Sequence, residues 1–191
     1  MKACKNSHCN LGVLYKRYGG IEISERIVHP FLPIYNNESQ ILILGSFPSV
    51  KSREGEFYYH HPQNRFWRVI SSLCQEELPD SIEEKRRLLL RCGIAVWDVI
   101  NSCEINGSSD GSIRNVISND ISAILNTADI RSILANGATA ERLYRKYIFP
   151  VTGREIVKLP STSPANAACS LDKLIKEWSY IVEFLDKDTK G

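Results

Sequence analysis

Long apolar runs are missing from this 191-residue chain. None approaches the roughly 18 residues that a membrane-crossing helix requires, so no membrane partner is expected. The opening segment, MKACKNSHCNLGVLYK, also lacks the continuous apolar core of a secretory signal. A dominant charge is missing too: 24 Lys and Arg against 22 Asp and Glu leave a net charge of +2. Any surface for nucleic acid must therefore be a local patch and not a property of the whole molecule. Cysteine is present without a pattern. The six residues, at positions 4, 9, 74, 92, 103 and 169, form no CxxC pair and no Cys/His array at zinc spacing. Reduced thiols in a cytoplasmic protein are the expectation. Cys4, His8 and Cys9 supply at most half a metal site, with no second half in view. The phosphate-loop spacing GxxxxGK[ST] is absent as well.

What is present is ordinary globular composition, 43% hydrophobic and 24% charged. The length suits one domain with a sizeable core. Four short runs read as buried strands: ILILG (41–45), IAVWDVI (94–100), IRSILANG (130–137) and EIVKLP (155–160). They are rich in Ile, Leu and Val and bounded by Gly, Pro or Asn. Helical spacing links Phe66, Val69, Ile70 and Leu73, and again Val116, Ile117, Ile121, Ile124 and Leu125. ATAERLYRKY (138–147) favours a helix. A stripe of Leu171, Leu174, Ile175, Trp178, Ile181, Val182 and Leu185 predicts one over 171–185. Strands alternating with helices imply parallel pairing by right-handed crossovers. The expected fold is a three-layer α/β/α domain around a central four-stranded parallel sheet. Residues 1–28 read as an N-terminal arm, with the chain to residue 35 also peripheral. Residues 29–185 read as the domain and 186–191 as a tail.

In such sheets ligands bind beyond the carboxyl ends of the strands. The loops beginning at Ser46, Asn101, Gly137 and Ser161 are therefore the candidates, with Asp98 beside the second. GSFPSVKS follows the first strand, where Gly45 permits a tight turn and Pro48 stiffens it. YYHHPQNRFW (58–67) is richer. Tyr58 and Tyr59, with Phe57, can stack a planar ring or simply pack the loop onto the domain. His60 and His61 are adjacent, and Asn64 suits a helix N-cap. Phe66 and Trp67 begin the helical stripe and belong to the core. LPSTSPANAA (159–168) frames small hydroxyl residues between prolines, which suits phosphate contact or entry into the last helix, capped by Ser170.

Together these segments resemble the uracil-DNA glycosylase superfamily, whose members carry a short loop after the first strand and a Ser/Pro-rich loop after the last. Here these are GSFPS (45–49) and LPSTSPAN (159–166). HPQNRFWRVI (61–70) and ILANGATAERLYRKY (133–147) are similar to its mismatch-specific branch. With WDVINSCEINGSSDGSIRN (97–115), the closest group is the hypoxanthine-DNA glycosylases, or DNA-deoxyinosine glycosylases, family 6. The likeness runs from about His29 to Leu185.

The resemblance implies a monomeric, cytoplasmic repair hydrolase acting at the nucleoid. Its reaction would be monofunctional: cleavage of the N-glycosidic bond of a deaminated base flipped out of DNA. It implies no cofactor, no metal and no iron–sulfur cluster. Phe47 stands where many relatives place a water-positioning Asn or Asp, and Leu159 where others have His. The resemblance therefore assigns catalysis to Asn64. Base binding falls to Gly45, Ser46, Phe47, Pro48, Tyr59, His61 and Asn136. DNA contact falls to Ser161, Thr162, Ser163, Pro164, Ala165 and Asn166, with Gly137 beside the pocket and Asp98 and Asn101 near it. A uracil or mismatch preference, or a lesion-binding module without turnover, are the alternatives.

Overall fold

Ile41, Leu42, Ile43 and Leu44 are all fully buried, and their side chains divide between two separate cores. A strand apolar on both faces belongs inside a parallel sheet covered on both sides. The structure, a computed structural model, describes residues 26–185. The arm to residue 25, including Cys4, His8 and Cys9, and the tail 186–191 lie outside the described residues. The central strands are β2 (Ile41–Gly45), β3 (Ile94–Asp98), β6 (Ser132–Asn136) and β7 (Ile156–Leu159). They form a four-stranded sheet in the order β3-β2-β6-β7, every pair parallel. The four runs read as strands in the sequence are these four strands.

Helices cover both faces. Ile41 and Ile43 face α2 (Phe66–Cys74), α3 (Ile82–Arg91) and α7 (Leu171–Trp178). Leu42 and Leu44 face α4 (Ser122–Thr127) and α5 (Ala138–Tyr147). Ser170 caps α7, its side chain accepting from the Lys173 N–H at 3.2 Å. α3 begins with a capping box in which Ser81 and Glu84 each accept from the other's backbone N–H at 3.2 Å. That signal, Ser then Glu three residues on, stands in the sequence, and the reading above missed the helix. From β2 the chain moves to β3 on one side, then returns past β2 to β6 and β7 on the other. The reversal between β2 and β6 is where an open α/β sheet forms its ligand crevice.

Four expectations are corrected. Val116 and Ile117 lie in a strand, not a helix: β5 (Arg114–Ser118) pairs antiparallel with β4 (Ile100–Glu104), which pairs with β1 (Arg26–Val28). Pairing with β4 overrides the local helical spacing there, and the helix begins only at Ser122. Residues 26–35 are not a peripheral arm. Arg26–Val28 extends the small sheet, and Ile34 is 1% exposed and bridges Val96. The run 94–100 is broken at Val99, so that Ile100 starts a strand of the second sheet. The last stripe is a helix only to Trp178 and then tightens into a 3₁₀ turn over Ser179–Phe184. Among the described residues no helix is long and apolar enough to cross a membrane.

Candidate active site

The end of β2 requires a glycine because a carboxylate occupies the space of a side chain. A Cβ on Gly45 would sit 2.1 Å from Asp98 Oδ1. Asp98 ends β3 in register with Gly45. Its other oxygen, Oδ2, lies 2.8 Å from His29 Nε2, and both side chains are nearly sealed from solvent. The Phe31 N–H points at His29 Nδ1 at 3.4 Å, so Nε2 is the nitrogen that donates to the carboxylate. The Asn119 amide holds the Asp98 carbonyl at 2.8 Å and receives the Asn101 amide at 3.1 Å. Asn101 is thus tied to Asn119, just past the strand that ends at Ser118, and does not line the cavity. His29 escaped the sequence reading because its partner lies 69 positions away.

The loop after β2 turns sharply into the short α1 (Val50–Glu54), capped by Ser49. Arg53 donates to the Pro48 carbonyl at 2.7 Å and to the Gly107 carbonyl at 3.2 Å, with its guanidinium 5.8 Å from the Phe47 ring centre. Ser46 donates to Asp110 at 3.0 Å, and Ser108 accepts from the Val50 N–H at 2.9 Å. The segment 105–110 is therefore stitched to the rim and forms one wall, a role that its small polar residues did not announce.

The loop before α2 supplies the opposite wall. Tyr59 has φ 52°, a left-handed backbone uncommon for a bulky residue. That backbone lays its ring on Phe66, centroids 3.9 Å apart and planes 24° from parallel. Burial, reinforced by the Asp98 charge, pushes the Tyr59 phenol far above its usual range. Its Oη is buried without a well-formed hydrogen bond among the described residues, the Asn136 amide making only a loose approach that slightly opposes the rise. Asn64 Oδ1 accepts from the Phe66 N–H at 3.0 Å. The side chain thus caps the entry to α2 from one position before the formal cap, Arg65. Arg65 donates to the carbonyls of Thr162 at 3.3 Å, Ser163 at 2.6 Å, Asn166 at 3.1 Å and Cys169. One side chain gathers the whole final loop against the start of α2.

That loop follows β7. Gly137, at the end of β6, has φ 101°, and a Cβ there would meet the Ser161 Cβ at 2.9 Å. The Asn136 amide grips Thr162 twice, donating to Oγ1 and accepting from N–H, both at 2.9 Å.

These elements enclose a cavity of about 380 Å³, in the range of small-molecule sites. Gly45, Ser46, Phe47, Pro48, Tyr59, Asn64, Asn136, Ser161, Ser163 and Ala165 line it, together with Asp98. The remaining candidates do not. Thr162 is fully buried and bonded to Asn136, so its hydroxyl cannot grip a phosphate as expected. His61 is not a lining residue; its Nδ1 accepts from the Gln63 N–H and shapes its own turn. The Asn166 amide is turned back onto the Ser161 carbonyl at 2.9 Å, and with Pro164 it belongs to the loop's outer frame. Chemically the cavity offers aromatic and backbone surface for a planar ring, an amide at one side, and a carboxylate at its floor.

The profile of the uracil DNA glycosylase superfamily matches residues 32–184, most of the chain. The chain belongs to this superfamily. Two relatives carry the name hypoxanthine DNA glycosylase. The one from Methanosarcina acetivorans is 34% identical over 156 residues, covering 79% of this chain and 95% of the relative. The one from Methanosarcina barkeri is 34% identical over 139 residues, covering 71% and 86%. A solution NMR structure from Methanosarcina acetivorans, described as a candidate uracil DNA glycosylase, superposes with a TM-score of 0.70 at 31% identity. It covers 81% of this chain and 96% of that one.

Proposed function

We propose that the protein is a monofunctional DNA glycosylase that hydrolyses the N-glycosidic bond of a deaminated base, hypoxanthine foremost. The observation that carries the reading is the position of Asn64. Asn64 borders the same cavity as Gly45–Ser49 on one side and Ser161, Ser163 and Ala165 on the other. The relatives' shared name supports the choice of base.

A base stacked in a duplex is out of reach and must swing into the cavity; unstacking costs a few kcal/mol, least for a mispaired base. Tyr59, backed by Phe66, takes the flipped ring, a stack worth about 1–3 kcal/mol per base. Backbone groups of Gly45 through Pro48 border the base. The hydrogen bond from Phe66 uses one lone pair of Asn64 Oδ1 and fixes the amide plane; the second lone pair remains for a water. An amide is too weak a base to take a proton early, so Asn64 aims the water at the anomeric carbon while the bond breaks. The leaving base gathers negative charge, which hydrogen-bond donors of the pocket wall offset until the base takes up the proton that the captured water gives up. Ser161 and Ser163 contact the flanking phosphates, and Pro164 and Ala165 fill the gap left in the stack. The protein works as a monomer in the cytoplasm, on chromosomal DNA.

The test is a cleavage assay on duplexes holding a single deoxyinosine, deoxyuridine or deoxyxanthosine, with wild type and Asn64→Ala. Inosine release by wild type, lost in the variant while DNA binding persists, supports the proposal. Wild type that binds these duplexes and releases no base makes the protein a lesion binder instead.

A further inference from the structure

We infer that the same cavity also releases purines that carry a fixed positive charge, the N7- and N3-alkylated bases of damaged DNA. The inference goes beyond the deaminated base proposed above and rests on the same glycosylase reaction. Its ground is the charge of the cavity wall. Among the described residues that line the cavity, Asp98 and Asp110 are the only charged side chains; no Lys, Arg or His lines it. His29 and Arg53 stand behind the wall. His29 meets Asp98 on its Oδ2 side at 2.8 Å. Arg53 lies 5.8 Å from the Phe47 ring centre and is bound to the Pro48 and Gly107 carbonyls. Asp98 is 4% exposed, so salt and water screen its charge poorly. Asp110 accepts the Ser46 hydroxyl at 3.0 Å, on the loop that borders the base. Four aromatic rings, Phe31, Phe47, Tyr58 and Tyr59, share the wall.

Aromatic faces and carboxylates together favour a cationic ring over a neutral one of the same shape. Alkylation at N7 or N3 of a purine nucleoside fixes one positive charge on the base. When the C1′–N9 bond breaks, its electron pair passes to the ring, which departs neutral and needs no proton. The positive charge moves to the sugar and stays within the field of both carboxylates. The water held by Asn64 bonds to C1′ and gives its proton to solvent. Hypoxanthine is the harder leaving group for this wall. It departs with negative charge, which the carboxylates oppose, and the lining offers it only hydroxyl, amide and backbone donors. Unmodified guanine has neither the charge nor the weakened bond, so the site spares it.

The experiment measures single-turnover base release from a duplex holding one N7-methyl-2′-deoxyguanosine opposite cytosine. Its controls are the same duplex without enzyme and a duplex with unmodified guanine. Release at least about tenfold above the enzyme-free rate, with guanine retained, is expected. Wild type that releases hypoxanthine but leaves N7-methylguanine at its spontaneous rate overturns the inference, and the deaminated-base reading stands. Wild type that releases N7-methylguanine but no deaminated base upholds the inference and removes hypoxanthine from that reading. A second measurement on wild type isolates the charge. A duplex with 2′-fluoro-N7-methylguanosine, which resists hydrolysis, should bind about tenfold more tightly than one with 7-methyl-7-deazaguanine in the same 2′-fluoro sugar, the same shape without the charge. Equal affinities overturn the inference. Asp110→Asn, at an exposed position, should lower the ratio of methylguanine to inosine release by about threefold. An unchanged ratio in a variant that melts like wild type counts against the carboxylate and overturns the argument from charge.

Discussion

Asn64 Oδ1 accepts the Phe66 N–H at 3.0 Å while the same side chain borders the cavity. One amide therefore starts a helix and faces the site. Its two roles separate by measurement. Asn64→Ala is expected to lose about 1 kcal/mol of stability, the usual value of a cap, read in a denaturant melt. Base release should fall by about a hundredfold or more, since orientation of the reacting groups is lost. A variant as unstable as predicted yet fully active would remove Asn64 from the chemistry.

Arg65→Gln removes a guanidinium that gathers four carbonyl oxygens of the final loop. Those carbonyls lose charge-assisted bonds worth about 1.5–3 kcal/mol in sum or more. Amide hydrogen exchange should accelerate over 161–169, with the β2 and β6 amides unchanged. DNA affinity should drop with it. Unchanged exchange in that loop would contradict the clamp.

Gly137→Ala places a side chain on a φ of 101° and 2.9 Å from the Ser161 Cβ. Strained backbone of this sort costs about 1–3 kcal/mol. The melting temperature should fall, and the final loop should shift away from Asn136.

Thr162→Val removes a hydroxyl held by the Asn136 amide at 2.9 Å without opening space. Stability should fall by about 1–3 kcal/mol, because the Asn136 donor is left unpaired. Since Thr162 is fully buried, the dependence of DNA binding on salt should not change. A shallower salt slope in this variant would restore Thr162 as a phosphate contact.

Tyr59→Phe deletes a buried hydroxyl that has no well-formed hydrogen bond among the described residues, only a loose approach to the Asn136 amide. Stability should hold or rise, and base release should be retained, because the stacking surface is intact. Tyr59→Ala should reduce release by about ten- to hundredfold through the lost stack. Equal losses in both variants would give the hydroxyl a chemical role.

Much of the site was legible because strand ends announce themselves. Gly45, Asn136 and Ser161 each follow or close a run of buried aliphatics, and in a parallel sheet such positions converge. Asn64 stood out through its motif. Other features carried no local mark. Asp98 and His29 are 69 residues apart and meet only because the 26–35 segment runs antiparallel beside β4 and then along β3. Thr162 reads as one more loop hydroxyl until Asn136 closes over it. Val116 and Ile117 fitted a helical spacing with Ile121 and Ile124, and pairing with β4 made 114–118 a strand instead.

By itself the amino-acid order determined the central layer. Runs of Ile, Leu and Val too short for helices and apolar on both faces have no stable place other than a covered parallel sheet. It also determined that the loops after β2 and β7 and the loop before α2 meet at the sheet's rim, though not that the 105–110 segment joins them. Only the tertiary structure decided which atoms of those loops face inward. Whether a hydroxyl, amide or carboxylate is free or occupied depends on a partner brought from a distant part of the chain, and hydrogen bonds of that range leave no period in the sequence.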